Sequence, residues 1–295
     1  MFRSIIFGGA DLGLLVVMGI VFQLIGLDIW LVQNNAGFNT AGVLAFSACF
    51  GFGGAFVSLA LSKFMAKRGM GVVLIETANN EQERWIVNTV QQQAQKAGIG
   101  CPEIGIFNQS QPNAFATGLS RNNALVAVST GLLAAMDRDE VEAVLGHDIA
   151  HIANGDMITM GLLQGVLNTF VIFLSRLAGF FVDRVILKNR GGLGIGYFVT
   201  SIIAQIFLSM IATVIALWFS RRREFRADEG GAQLAGKSKM IRALKKLQQV
   251  NEPEDLPGEF AAFGISGRGK GLSQLFLSHP PLDERIAHLN QAKIL

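Results

Sequence analysis

The sequence predicts a mainly α membrane protein: four transmembrane helices plus a cytoplasmic α+β domain with a small antiparallel sheet. Three observations carry this expectation. The 295 residues are 51% hydrophobic and only 16% charged, where an ordinary soluble domain carries about 25% charge. Long apolar stretches alternate with polar blocks that hold most of the charge. Within the polar blocks, helix-period patterns are joined to short apolar runs bounded by turn residues.

The first stretch, about 5–27, follows the N-terminal MFRS and is interrupted only by Asp11. It is too long for the apolar core of a cleaved signal and suits an uncleaved first span. The second, about 41–61, is rich in Gly and Phe. The third, about 157–182, contains only Arg176 as a charge. The fourth, 198–219, is uncharged, and at about 1.5 Å per residue it covers the ~30 Å hydrocarbon core. The chain is thus partitioned into spans at 1–63, a polar block at 64–156, spans at 157–219, and a second polar block at 220–295.

Basic residues set the orientation. Arg3 precedes the first span, Lys63, Lys67 and Arg68 follow the second, and Arg221, Arg222 and Arg223 follow the fourth, while loop 28–40 has no Lys or Arg. The positive-inside rule places both polar blocks in the cytoplasm, although Arg184, Lys188 and Arg190 between the last two spans run against it. The net charge of +3 and the pI near 9.0 come without a basic run interleaved with aromatics, which excludes a nucleic-acid surface. Cys49 and Cys101 lie far apart without a CxxC and read as reduced thiols.

The first polar block opens with a helix pattern over 79–98. Strand-like pieces follow at 103–107, 113–118 and 124–129, the last two joined as a hairpin through 119–123. A second helix over 137–156 begins with Asp137 as N-cap and Glu140 three residues on, the arrangement of a capping box. In the second block, 251–260 reads as a linker. The Gly-rich 264–273 reads as a flexible loop, because it lacks the residue order of a phosphate loop.

The helix over 137–156 carries two of the chain's four histidines, His147 and His151. At i and i+4 they project from one face, so two imidazoles can meet one Zn²⁺; the alternative is a pair of polar residues lining a helix surface. A catalytic zinc needs a third protein ligand. Directly after the fourth span, 221-RRREFRADEGGAQLAG-236 sets Glu224 and Asp228 four apart. Glu224 can bind metal while Asp228 holds a ligating imidazole by its other nitrogen. Taken alone, the same residues read as a surface charge pair.

The combination is more specific than its parts. An HxxxH helix followed by NGD, a span, RRREFRAD and finally 278-SHPPLDERIAHL-289 resembles the HtpX family of membrane-bound zinc metalloproteases, relatives of the CaaX prenyl proteases. The resemblance covers nearly the whole chain. It implies a zincin-like fold for the cytoplasmic domain, with His147, His151 and Glu224 ligating one Zn²⁺ per chain and Asp228 behind them. It also implies a multi-pass protein of the bacterial inner membrane that hydrolyses damaged or misfolded membrane proteins, or unfolded polypeptides, in quality control under stress. His279 of the HPP element then donates to the oxyanion of the reaction; the alternative is a structural turn with Arg285 paired to an acid. Asn113 is similar to the family's substrate-contact position, on a strand whose edge can take an extended peptide.

One residue departs from the pattern. Where the family has Glu after the first histidine, this chain has Asp148. Aspartate keeps the charge that takes a proton from the attacking water, but it is one methylene, about 1.5 Å, shorter. A misplacement of ~1 Å can cost ~100-fold in rate. The expectation is a zinc endopeptidase of reduced activity. The alternative is a zinc-binding but catalytically inactive membrane protein that captures substrates without cutting them. A transporter built on Asp11 and Arg176 fits the spans but leaves the His/Glu constellation unexplained.

Overall fold

The computed structural model describes residues 40–250 and 279–293. The first expected span at 5–27, the linker 251–260 and the Gly-rich 264–273 lie outside the described residues.

Three helices among the described residues are long and apolar enough to cross a membrane. Helix α1, Thr40–Met70, runs past the expected 41–61 and carries Lys67 and Arg68 in its last turn, where cations complement the exposed carbonyls. The other two are Asp156–Ile186 and Ile195–Ala235. Contacts divide the chain into two compact units, 40–58 with 160–218, and 59–159 with 219–250 and 279–293.

In the second unit, α1 is followed by β1 (Val73–Leu74), α2 (Glu81–Lys96), β2 (Glu103–Phe107), β3 (Ala114–Ser120), β4 (Asn123–Ser129) and the short α3 (Thr130–Ala135). Next come α4 (Arg138–Asn154) and α5 (Asp156–Phe181), the latter continued by a π-helical turn, Val182–Ile186. Helix α6 is Ile195–Ala235, α7 is Lys237–Val250 and α8 is Leu282–Gln291. The apolar stretch 198–219 is therefore one part of a 41-residue helix. Nothing in RRREFRAD breaks the helix, which continues until Gly236 at φ 109°.

The sheet corrects the expectation of an antiparallel one. Its order is β1-β2-β4-β3; the β1–β2 and β3–β4 pairs are antiparallel, but β2 and β4 run parallel. Loop 108–113 carries the chain two strand positions past β2, and the tight β3–β4 turn then brings β4 back into the gap. Strand β4 belongs there because all but its first residue are buried, and burial on both faces requires a partner at both edges. Strand β3 is left at the edge.

The sheet packs with α2 and α4. Ile86 and Val90 from α2, Val126 and Val128 from β4, and Leu145, Ile149 and Ile152 from α4 form one core. Truncating Leu145 or Ile149 to Ala would cost about 2–5 kcal/mol. A second cluster joins Ala143 of α4, Ala232 of α6, Met240 and Leu244 of α7, and Leu289 of α8. In the first unit, α1 and α5 approach closely: a Cβ on Gly165 would stand 2.6 Å from the Phe52 ring, the small-residue contact common between membrane helices.

Candidate metal centre

Helix α4 is fixed at both ends. The Asp137 side chain accepts from Glu140 N–H, and Glu140 Oε2 accepts from Asp137 N–H, closing the capping box. Gly155 ends the helix at φ 70°, ψ 28°, a left-handed conformation that costs about 1–2 kcal/mol with a side chain. Across α4 lies the polar end of α6. A Cβ on Gly231 would fall 2.9 Å from His147 N, and one on Gly230 would fall 2.6 Å from Ala150 Cβ. The two glycines thus let the backbones meet where the histidines stand, which brings Glu224 and Asp228 within reach.

His147 Nε2 and His151 Nε2 are 3.1 Å apart. Glu224 Oε1 lies 3.3 Å from the His151 nitrogen, and Oε2 lies 3.6 Å from that of His147. Ligands held tetrahedrally at the usual Zn–N and Zn–O lengths stand about 3.3–3.4 Å from one another, so the two imidazole nitrogens and the carboxylate are spaced as a zinc site would space them. The donor set agrees. His151 Nδ1 faces Asp156 Oδ2 at 2.6 Å. His147 Nδ1 is 2.9 Å from Asp228 Oδ1, a close ionic contact in which the N–H is off the line of a regular hydrogen bond. With protons on both Nδ1 atoms, two Nε2 lone pairs and a carboxylate face one another, a cluster that could hold a cation.

The electrostatics express the same demand in proton form. Burial works against a charged His147, but the Asp228 and Glu224 carboxylates outweigh it and push its pKa up to about 9. Glu224, beyond the apolar stretch of α6, is 1% exposed. Burial raises its pKa, yet contacts from His147, His151 and His279 hold it well below the usual range. Asp228 is likewise held low, because the Arg285 and His147 contacts exceed the effect of its burial.

Asp148, on α4 beside His147, is buried, and its Oδ2 has no hydrogen-bond partner among the described residues. Burial pushes its carboxyl up to about 6, against the pull of the neighbouring histidines. His279 brings Nδ1 to 2.7 Å from Glu224 Oε2 while its side chain stays 62% exposed. Asn113 stands apart: it precedes edge strand β3, tied by its backbone to Ser129, and its side chain makes no hydrogen bond to the cluster. One contributor, Asp156, is not foreseen by the sequence. It is betrayed only by being an acid directly after the glycine that closes the histidine helix. Arg285, expected to pair with an acid if the HPP element is a structural turn, pairs with Asp228.

The sequence model described as Peptidase family M48 matches residues 80–293. Protease HtpX of Thioalkalivibrio sulfidiphilus (strain HL-EbGR7) is 56% identical over 288 residues, covering 97% of this chain and 98% of its own. A Protease HtpX homolog of Nitrosomonas europaea is 53% identical over 290 residues, covering 98% and 99%. Among solved structures, S. mikatae Ste24p is similar with a TM-score of 0.63 at 18% identity, over 98% of this chain and 67% of that one. That last likeness concerns the fold alone.

Proposed function

We propose a zinc-dependent membrane endopeptidase, and the premise is membership: this chain belongs to peptidase family M48, among the HtpX proteases. The observation that carries the zinc is the convergence of His147, His151 and Glu224 at 3.1–3.6 Å, with a carboxylate behind each imidazole. These three residues would hold one Zn²⁺. When bound, the metal supplies Lewis acidity, which makes a water nucleophilic near neutral pH and polarises the scissile carbonyl.

The chain's own residues do the rest. Asp228 and Asp156 orient the two imidazoles and keep their Nδ1 atoms protonated. Asp148 takes the proton of the attacking water and returns it to the leaving amine. The free edge of β3 receives an extended polypeptide by strand addition, with Asn113 at its start. His279 keeps Nδ1 on Glu224 and, as the imidazolium, donates Nε2–H to the developing oxyanion, a type of contact worth several kcal/mol. Substrates are damaged or misfolded membrane proteins and unfolded polypeptides. The basic residues bordering the spans favour a bacterial inner-membrane protein whose metal site faces the cytoplasm.

A second reading has its own support. Asp148 is shorter than the family's glutamate and lacks a partner at Oδ2 among the described residues, so the chain can hold zinc and substrate without turnover. The metal assignment is tested first. Purified protein should contain about one zinc per chain, and His147→Ala and Glu224→Ala should each lose it; retention in both variants defeats the ligand set.

A further inference from the structure

We propose that Arg285 is a positioning residue of the metal centre, which through Asp228 holds His147 in its ligating orientation; this rests on the zinc reading above. Arg285 stands on α8 and is 6% exposed. Its Nε donates to Asp228 Oδ2 at 2.8 Å and its Nη2 to Oδ1 at 2.6 Å, while Nη1 lies 3.6 Å from Glu224 Oε2. Asp228 Oδ1 is in turn the atom 2.9 Å from His147 Nδ1. One guanidinium thus engages both oxygens of the carboxylate behind one ligand and reaches the carboxylate that is itself a ligand.

Charge makes the arrangement necessary. Glu224 and Asp228 sit on consecutive turns of α6 with exposures of 1% and 0%. Two like charges buried on one face repel, and each is costly to desolvate without a partner. Arg285 offsets both. Geometry adds direction: a planar fork bonded to both Asp228 oxygens fixes the carboxylate plane, and with it the aim of Oδ1 at the imidazole. Lysine would preserve the charge and lose the plane. Helix α8 delivers the fork from its own packing, with Leu289 buried beside Met240 and Leu244 of α7.

The test reads the metal rather than turnover. Zn²⁺ affinity of the purified full chain is measured by chelator competition, and the visible absorption of the Co²⁺-loaded protein reports ligand geometry. Arg285→Lys and Arg285→Ala should each weaken Zn²⁺ binding about 10–100-fold, the usual effect of losing an outer-sphere partner, and should alter the Co²⁺ bands. Asp228→Asn should do the same. The double variant Arg285→Ala/Asp228→Asn should be no weaker than the worse single variant, because the two residues act as one unit. If Arg285→Ala does not fold, Arg285→Lys carries the test, with its circular dichroism compared with that of the unaltered chain. Unchanged Zn²⁺ affinity and Co²⁺ spectrum in folded Arg285→Lys, or additive losses in the double variant, overturn the proposal and leave the zinc reading intact. An unaltered chain that binds no Zn²⁺ overturns both.

Discussion

Burial, a pKa pushed up to about 6 and an Oδ2 without a partner among the described residues give Asp148 much of what a general base needs, except length. Asp148→Glu should therefore raise kcat/KM on an unfolded membrane-protein substrate by ~100-fold while leaving zinc content unchanged. Equal cleavage by both chains would show that aspartate is no handicap. Absence of cleavage by both, with zinc bound, favours the silent binder. His147 gives a second expectation. Its metal-free pKa is raised from 6.5 to about 9, so its cation stabilises the metal-free fold fully below pH 6.5, and this contribution is lost as pH rises through about 9. Zinc must displace that proton. Affinity should accordingly climb between pH 6.5 and 9 and level off above, and binding at pH 7.5 should release about one proton. Calorimetric titration in buffers of different ionisation enthalpy checks this, and a pH-independent affinity over the window contradicts it.

The α4–α6 crossing is the element on which the site depends. Gly231→Ala would put a Cβ 2.9 Å from His147 N, so one backbone must move and carry Glu224 away from the histidines. The expected result is a zinc affinity at least ~10-fold weaker with α-helical circular dichroism retained; unchanged affinity would mean that the crossing has slack. The sequence made much of this legible at the scale of single elements. The capping box of α4 and the strand 103–107 follow directly from local residue patterns, and the histidine spacing follows from the helix period. Sheet order was hidden, because the parallel β2–β4 pairing depends on loop 108–113 passing over a gap that no local signal marks. The length of α6 was hidden because charged residues end an apolar run without ending a helix. Asp156 was hidden because its partner, His151, is reached only through the left-handed turn at Gly155.

On the scale of the whole molecule, the chain holds a unit with apolar helices and a unit with the metal cluster. The proposed cytoplasmic placement of the second is open to a labelling test. Cys101 is exposed and lies between α2 and β2, whereas Cys49 is exposed within the apolar part of α1. A membrane-impermeant maleimide should leave intact spheroplasts unlabelled and should modify Cys101 once the membrane is opened; labelling of Cys101 in intact spheroplasts would reverse the orientation. The metal-bearing unit is also discontinuous in sequence, since 160–218 separates its two parts. His147 and His151 leave the ribosome ahead of α5 and α6, whereas Glu224 follows the last apolar residues and Arg285 comes later still. No nascent chain can bring His147, His151 and Glu224 together before both of these apolar helices have been made. Completion of the proposed metal site is therefore postponed by chain order itself until the last long apolar helix has been made.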